Sequence, residues 1–98
     1  MITEIVEIRI KSKMQDEFIA GVEKSKELFE RSPGFQNLEL HRQIEDPEIF
    51  LLFINWDSVS HHMDMFRKSP EYQEWRGNVG HFFADTPRLQ HSKTQLAY

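Results

Sequence analysis

The spacing of apolar and polar positions divides this chain into alternating strands and helices. Ile49 to Ile54 is an unbroken apolar run, preceded by the turn pair Asp46-Pro47 and followed by Asn55, Trp56 and the helix-start pair Asp57-Ser58. A run that short between turn and cap signals predicts a strand with neighbours on both faces, central in its sheet. Ile2 to Ile10 alternates, with Ile2, Val6, Ile8 and Ile10 on one side and Ile5, Glu7 and Arg9 on the other, which predicts a first strand with a mixed second face. Ser12-Lys13-Met14-Gln15 has the form of a capping box, and Met14, Phe18, Val22, Ser25 and Phe29 recur at helical steps. They predict an amphipathic helix that ends near Arg31 and is stopped by Ser32-Pro33-Gly34. Phe35 to Ile44 alternates again, Leu38, Leu40 and Ile44 against Asn37, Glu39, His41 and Gln43. The short Glu45-Asp46-Pro47 link makes this segment the antiparallel partner of the central run.

Asp57 or Ser58 then caps a helix carrying Val59, His62 or Met63, and Phe66 on one side, ending by Lys68. Ser69-Pro70-Glu71 restarts it, with Ser as cap and Pro at the first helical position, and Tyr72, Trp75, Val79 and Phe82 or Phe83 form the apolar stripe. After the break at Asp85-Thr86-Pro87, Arg88 to Tyr98 is read as a last strand. The order strand, helix, strand, strand, helix, strand predicts an α+β fold. It is a ferredoxin-like βαββαβ sheet with the first and third strands inside and the helices on one face. The other face carries about half of Phe50 to Ile54. Burying large apolar side chains at ~1.5–3 kcal/mol each favours covering it with a second copy, a homodimer through sheet-to-sheet packing.

Composition narrows the chemistry. Residues 1–98 make one domain with a thin margin of stability, which association would improve. Phe, Trp and Tyr contribute 8, 2 and 2 residues, so rings dominate the core and any pocket. The absence of cysteine removes disulfides, thiolate metal sites and a Cys nucleophile. A net charge of −4 without a Lys/Arg cluster argues against nucleic acid as partner. No apolar run approaches the ~18–20 residues of a membrane span and the N-terminus lacks a basic n-region, so the expectation is a cytoplasmic protein without membrane association.

Pro33-Gly34-Phe35 followed by a strand, Phe50 to Trp56 leading into Trp56-Asp57-Ser58, then His62, Phe66, Ser69-Pro70-Glu71-Tyr72 and Trp75, resembles the antibiotic biosynthesis monooxygenase (ABM) domain family over nearly the whole chain. The resemblance implies a dimeric α/β barrel with a cavity between sheet and helices in each subunit. Members of that family differ in chemistry: some oxygenate phenols or quinols without metal or flavin, the deprotonated substrate giving an electron to dioxygen, some degrade haem, and many have no established activity. The haem-degrading branch of the family carries an Asn on the first strand, a Trp on the helix after the Trp-x-Ser turn and a later His. The corresponding positions here are Glu7 or Arg9, Met65 and Trp75, so haem degradation is set aside. Many quinol-type members have a His at the position of Met65, whereas this chain has His61 and His62.

A cofactor-free oxygenase needs a base or hydrogen-bond partner for a phenol, flat apolar walls and exclusion of water. His62 lies on the apolar stripe, where it is either a pocket base or a helix-face His bonded to a carbonyl or water; Tyr72 offers a phenol that can donate to a substrate oxygen. These two are the catalytic candidates. Trp56, Phe66 and Trp75 are candidate walls, Asn55 a candidate amide contact and Arg76 a partner for an anionic substrate. His81 is placed at a helix C-terminus, His41 on the polar side of a strand, and His91 where it can bridge a dimer. Adjacent His61 and His62 diverge by ~100° on a helix with no third ligand at a suitable spacing, so neither a metal nor a cofactor is expected. The alternative to an enzyme is a non-catalytic dimeric barrel that binds a small apolar molecule in a stress or regulatory role.

Overall fold

The computed structural model describes residues 1–98. Strand β1 (Ile2–Arg9) is followed by helices α1 (Gln15–Glu23) and α2 (Lys26–Glu30), then β2 (Phe35–Arg42) and β3 (Ile49–Trp56). A π-helical turn (His61–Met65) and a 3-10 turn (Phe66–Lys68) lead into α3 (Pro70–Val79), a further 3-10 turn (Gly80–Phe82) and β4 (Arg88–Ser92). The sheet order is β2-β3-β1-β4 with every neighbouring pair antiparallel, so the first and third strands are interior and the fold is the ferredoxin-like α+β arrangement. No helix is long and apolar enough to cross a membrane.

Alternation along the two interior strands decides what each face receives. The inward phase of β1 and the residue after it supply Val6, Ile8 and Ile10, and that of β3 supplies Phe50, Leu52, Ile54 and Trp56, all buried against Phe18, Val22, Leu28, Phe29, Phe66, Trp75, Val79 and Phe82 from the helical layer. Phe29 is the hub of that layer. Its ring lies 4.9 Å from Trp75, 5.0 Å from Phe66, 5.8 Å from Phe35 and 6.5 Å from Trp56, contacts that add to simple area burial. The opposite phase of β3, Ile49, Leu51, Phe53 and Asn55, is only half-buried.

Several elements depart from the expected boundaries, each for a local reason. Ser12 does not cap the first helix: Lys11 to Met14 close a tight turn through Met14 N–H donating to the Lys11 carbonyl at 3.0 Å, with Lys13 at φ 69°, and the helix starts at Gln15. The expected continuous helix is broken at Lys24-Ser25, where Ser25 Oγ donates to the Gly21 carbonyl (2.8 Å) and accepts from Asn78 Nδ2 (2.9 Å), so a buried hydroxyl ties the break to α3. Gly21 belongs to the same junction, since a Cβ there would meet the Asn78 carbonyl at 2.7 Å. Strand β2 stops at Arg42, leaving Ile44 90% exposed rather than inward, because the chain turns at Asp46-Pro47. β4 ends at Ser92, which pairs with Thr3, and Leu96 and Tyr98 are exposed. The segment after Trp56 is wound as π and 3-10 turns rather than one regular helix, and Val59 is exposed.

Candidate active site

The cavity sits where β1 and β3 face the π-turn, α3 and the chain leading into β4. It encloses about 270 Å³, near the lower end of small-molecule pockets. Of the residues singled out in the sequence, His62, Phe66, Tyr72, Trp75 and Arg76 line it together. Trp56 does not line it but stands behind it, fully buried, with its indole stacked on His62 at 5.7 Å and 17° between planes. Asn55, the next residue back, is on the other side of the sheet. It accepts from the Thr3 hydroxyl and donates to Asn37 Oδ1 (2.8 Å), so it is not a cavity contact. The reason is the two-residue period of a strand, which sends neighbours to opposite faces.

His62 owes its direction to its neighbour. Ser58 caps the turn by accepting from the His61 N–H (3.2 Å) and bonds the His61 imidazole Nδ1 (2.8 Å). That imidazole packs over Gly34, which has φ +81° and no room for a Cβ, one at that position lying 2.3 Å from the His61 ring. With His61 held against the loop, His62 turns inward and is 2% exposed.

What His62 meets there is an acid that the sequence reading passed over. Glu4 occupies the inward phase of β1 between Ile2 and Val6, opposite Ile54 on one side and His91 on the other, and is 5% exposed. Trp56 Nε1 donates to Glu4 Oε1 at 2.9 Å, and His62 Nε2 lies 3.3 Å from the same oxygen. His62 Nδ1 and His91 Nε2 are 2.8 Å apart, one donating to the other according to tautomer. His91 therefore joins the buried network of its own chain. Glu4 Oε2 has no partner in the chain, yet no buried side-chain oxygen or nitrogen is left unpaired, so Oε2 is open to the cavity that Glu4 lines. The signal for Glu4 was present: an acid in the apolar phase of an interior strand.

Burial dominates the electrostatics of this pair. It pushes the Glu4 carboxyl up to about 7, against the opposing pull of the Trp56 hydrogen bond and the Arg67 charge. It pushes the His62 imidazole down to about 4, assisted by His91 and Arg67, and lowers His91 as well. Near neutrality His62 is uncharged and Glu4 exchanges a proton, which is the condition a general base requires. Both His62 nitrogens face partners within the chain, whereas Glu4 presents a free oxygen to the cavity. At the cavity's open side Tyr72 packs edge-on against Phe66 (5.6 Å, 87°) and its hydroxyl accepts from Arg76 Nη1 at 3.1 Å, leaving its own O–H free to donate.

Known proteins place the chain. The family model described as antibiotic biosynthesis monooxygenase matches residues 1–78. A Bordetella bronchiseptica protein proposed as an antibiotic biosynthesis monooxygenase is 39% identical, superposes with a TM-score of 0.95 and is covered over 97% of each chain. The uncharacterized Bacillus subtilis protein YczJ is 26% identical over 91 residues, 93% of this chain and 96% of its own. SnoaB, a cofactor-independent oxygenase from Streptomyces nogalater, shares the fold at a TM-score of 0.84 and 14% identity, over 98% of this chain and 94% of its own. The family match over most of the sequence, joined to the Bordetella likeness over nearly all of it, means that this chain belongs to the antibiotic biosynthesis monooxygenase family.

Proposed function

We propose that this protein is a cofactor-independent monooxygenase acting on a small aromatic or quinol-like substrate, with Glu4 as the proton acceptor. The observation that carries the proposal is the buried carboxyl poised near neutrality with one free oxygen on a ring-lined cavity. Glu4 Oε2 takes the phenolic proton, and the phenolate passes one electron to dioxygen. The resulting aryloxyl radical and superoxide join at a ring carbon, and the proton held on Glu4 returns to give the hydroperoxide. Loss of water, made from the carbon-bound hydrogen and the distal OH, leaves a carbonyl; all electrons come from the substrate. His62 and Trp56 orient Glu4, the Tyr72 hydroxyl donates to a substrate oxygen, and Phe66 and Trp75 form walls that exclude water.

The same reading assigns the half-buried outer face of the sheet to a second copy of the chain. Ile5 and Phe53 are cross-strand neighbours there, Leu51 flanks them, and the His41 ring lies 4.7 Å from that of Phe53. Phe53→Asp places a charge in that patch and is expected to convert a dimer to a monomer in sedimentation velocity; a wild-type monomer at micromolar concentration sinks the assignment.

Oxygen consumption by the metal-free protein with a panel of hydroquinones and anthrone-like phenols, corrected for autoxidation, tests the activity. Saturable uptake that falls ~10²–10⁴-fold in Glu4→Gln is the expected result. Uptake unchanged in Glu4→Gln removes Glu4 from the chemistry. No uptake across the panel, with phenols still binding, makes the protein a ligand-binding barrel.

A further inference from the structure

Two arginines stand at the exposed edge of the cavity with no carboxylate to answer them. Arg67 and Arg76 both line it and both are exposed. Neither takes part in any ion pair of the chain, although the sequence holds 16 acidic residues against 12 Lys and Arg. Rings hold them instead. The Arg67 guanidinium carbon lies 5.7 Å from the centre of the Tyr72 ring, and its Nη1 reaches the Met63 sulfur at 3.8 Å. The Arg76 guanidinium carbon lies 5.5 Å from the Phe83 ring centre while Nη1 donates to the Tyr72 hydroxyl. An aromatic face positions a guanidinium without neutralising it and leaves most of its in-plane donors for another acceptor. The cavity is thus bipolar, with two uncompensated cations at its mouth and a proton-accepting carboxyl at its buried end. The Arg67 charge is felt across that length, since it pulls down the proton affinity of Glu4, His62 and His91.

We infer that the cavity selects a hydroxyaryl acid: a one- or two-ring phenol carrying a carboxylate away from its hydroxyl, with Arg67 and Arg76 recognising the carboxylate while the hydroxyl faces Glu4. This rests on the phenol reading of the site and names the class of phenol. A carboxylate meets a guanidinium in paired, charge-assisted hydrogen bonds, which a neutral phenol of the same shape lacks.

The test compares 2-naphthol with 6-hydroxy-2-naphthoate by isothermal titration calorimetry on the full chain at low salt. The naphthoate is expected to bind ~10-fold more tightly, a margin that shrinks as sodium chloride is raised because the mouth is open to screening. Arg67→Gln combined with Arg76→Gln, both at exposed positions, removes the margin between the two ligands, and the double Lys variant falls between. Equal affinities in the wild type overturn the inference and leave the phenol reading intact. A margin that survives in the double Gln variant also overturns it, because the carboxylate is then recognised elsewhere. If neither naphthalene binds, the phenol reading falls and this inference with it.

Discussion

Thr3 and Glu4 are neighbours in the chain, as are Asn55 and Trp56, yet the sheet sends one member of each pair to the outer face and the other inward. Outside, the Thr3 hydroxyl donates to Asn55, which donates in turn to Asn37, a chain of neutral groups that water can reach. Inside, Trp56 donates to Glu4, and Glu4 meets His62, which pairs with His91. Both networks are satisfied, and both cross three strands or their flanks. What separates them is solvent. In the isolated chain water at the outer network substitutes for any bond lost, so that network carries little energy, and its neutral groups carry no titration. The inner network lies in a desolvated layer, where a charge is costly and the proton affinities shift toward the neutral forms. Hydrogen bonding alone therefore does not mark a site; a titratable group deprived of water but left with one free atom does.

The pH dependence of stability gives the largest contrast between the faces. Glu4 has a folded value of about 7 against an ordinary 4.5, so its contribution to stability is present below about pH 4.5 and is lost as pH rises to about 7. Glu4→Gln should accordingly gain ~3 kcal/mol relative to wild type across that window, read by urea denaturation at several pH values. His62 has the opposite sign. Its folded value of about 4 lies below the ordinary 6.5, so stability is lost as pH falls from 6.5 to 4, and His62→Gln should gain by a similar amount in that direction. Between pH 4.5 and 6.5 the two contributions oppose each other in the wild type, and the paired variants separate them. Difference curves without slope would show that the inner pair is solvated like the outer one.

A smaller effect is expected from Trp56→Phe, which keeps a ring but removes the donor to Glu4. The loss costs ~1–3 kcal/mol, and because the Trp56 bond holds the Glu4 value down, the carboxyl titration moves above about 7. Side-chain carboxyl carbon shifts followed by NMR across pH check both the assignment and the direction. The smallest effect belongs to the outer face: Asn55→Ala should cost no more than ~1 kcal/mol and leave 2-naphthol affinity unchanged. A large loss of affinity in that variant would return Asn55 to the site and erase the distinction between the faces.

Much of this architecture was legible in the chain. The apolar run at Ile49 to Ile54, the alternation of Ile2 to Ile10, and the Ser69-Pro70 start of α3 determine strands, helix and sheet order, because period and capping are local and each residue reports its own environment. Ser69 Oγ indeed accepts from the Tyr72 N–H at 3.2 Å. The ring-bearing cavity residues Phe66, Tyr72 and Trp75 were legible for the same reason, lying on one stripe of their helices. Local rules failed at Ser12 and Ser25, where a turn and a tertiary hydrogen bond overrode the helical pattern. They failed also at Asn55, which shares its polarity with a site residue but not its phase.

Only the tertiary structure decided that Glu4, His62 and His91 form one unit. They are separated by 58 and 29 positions, and no spacing rule connects them. The cross-strand register of β1 with β4 sets Glu4 opposite His91, and the turn anchored by His61 over Gly34 delivers His62 between them. An acid so placed changes character because the surrounding layer excludes water, and exclusion of water is a property of the assembled core, not of any single residue along the chain.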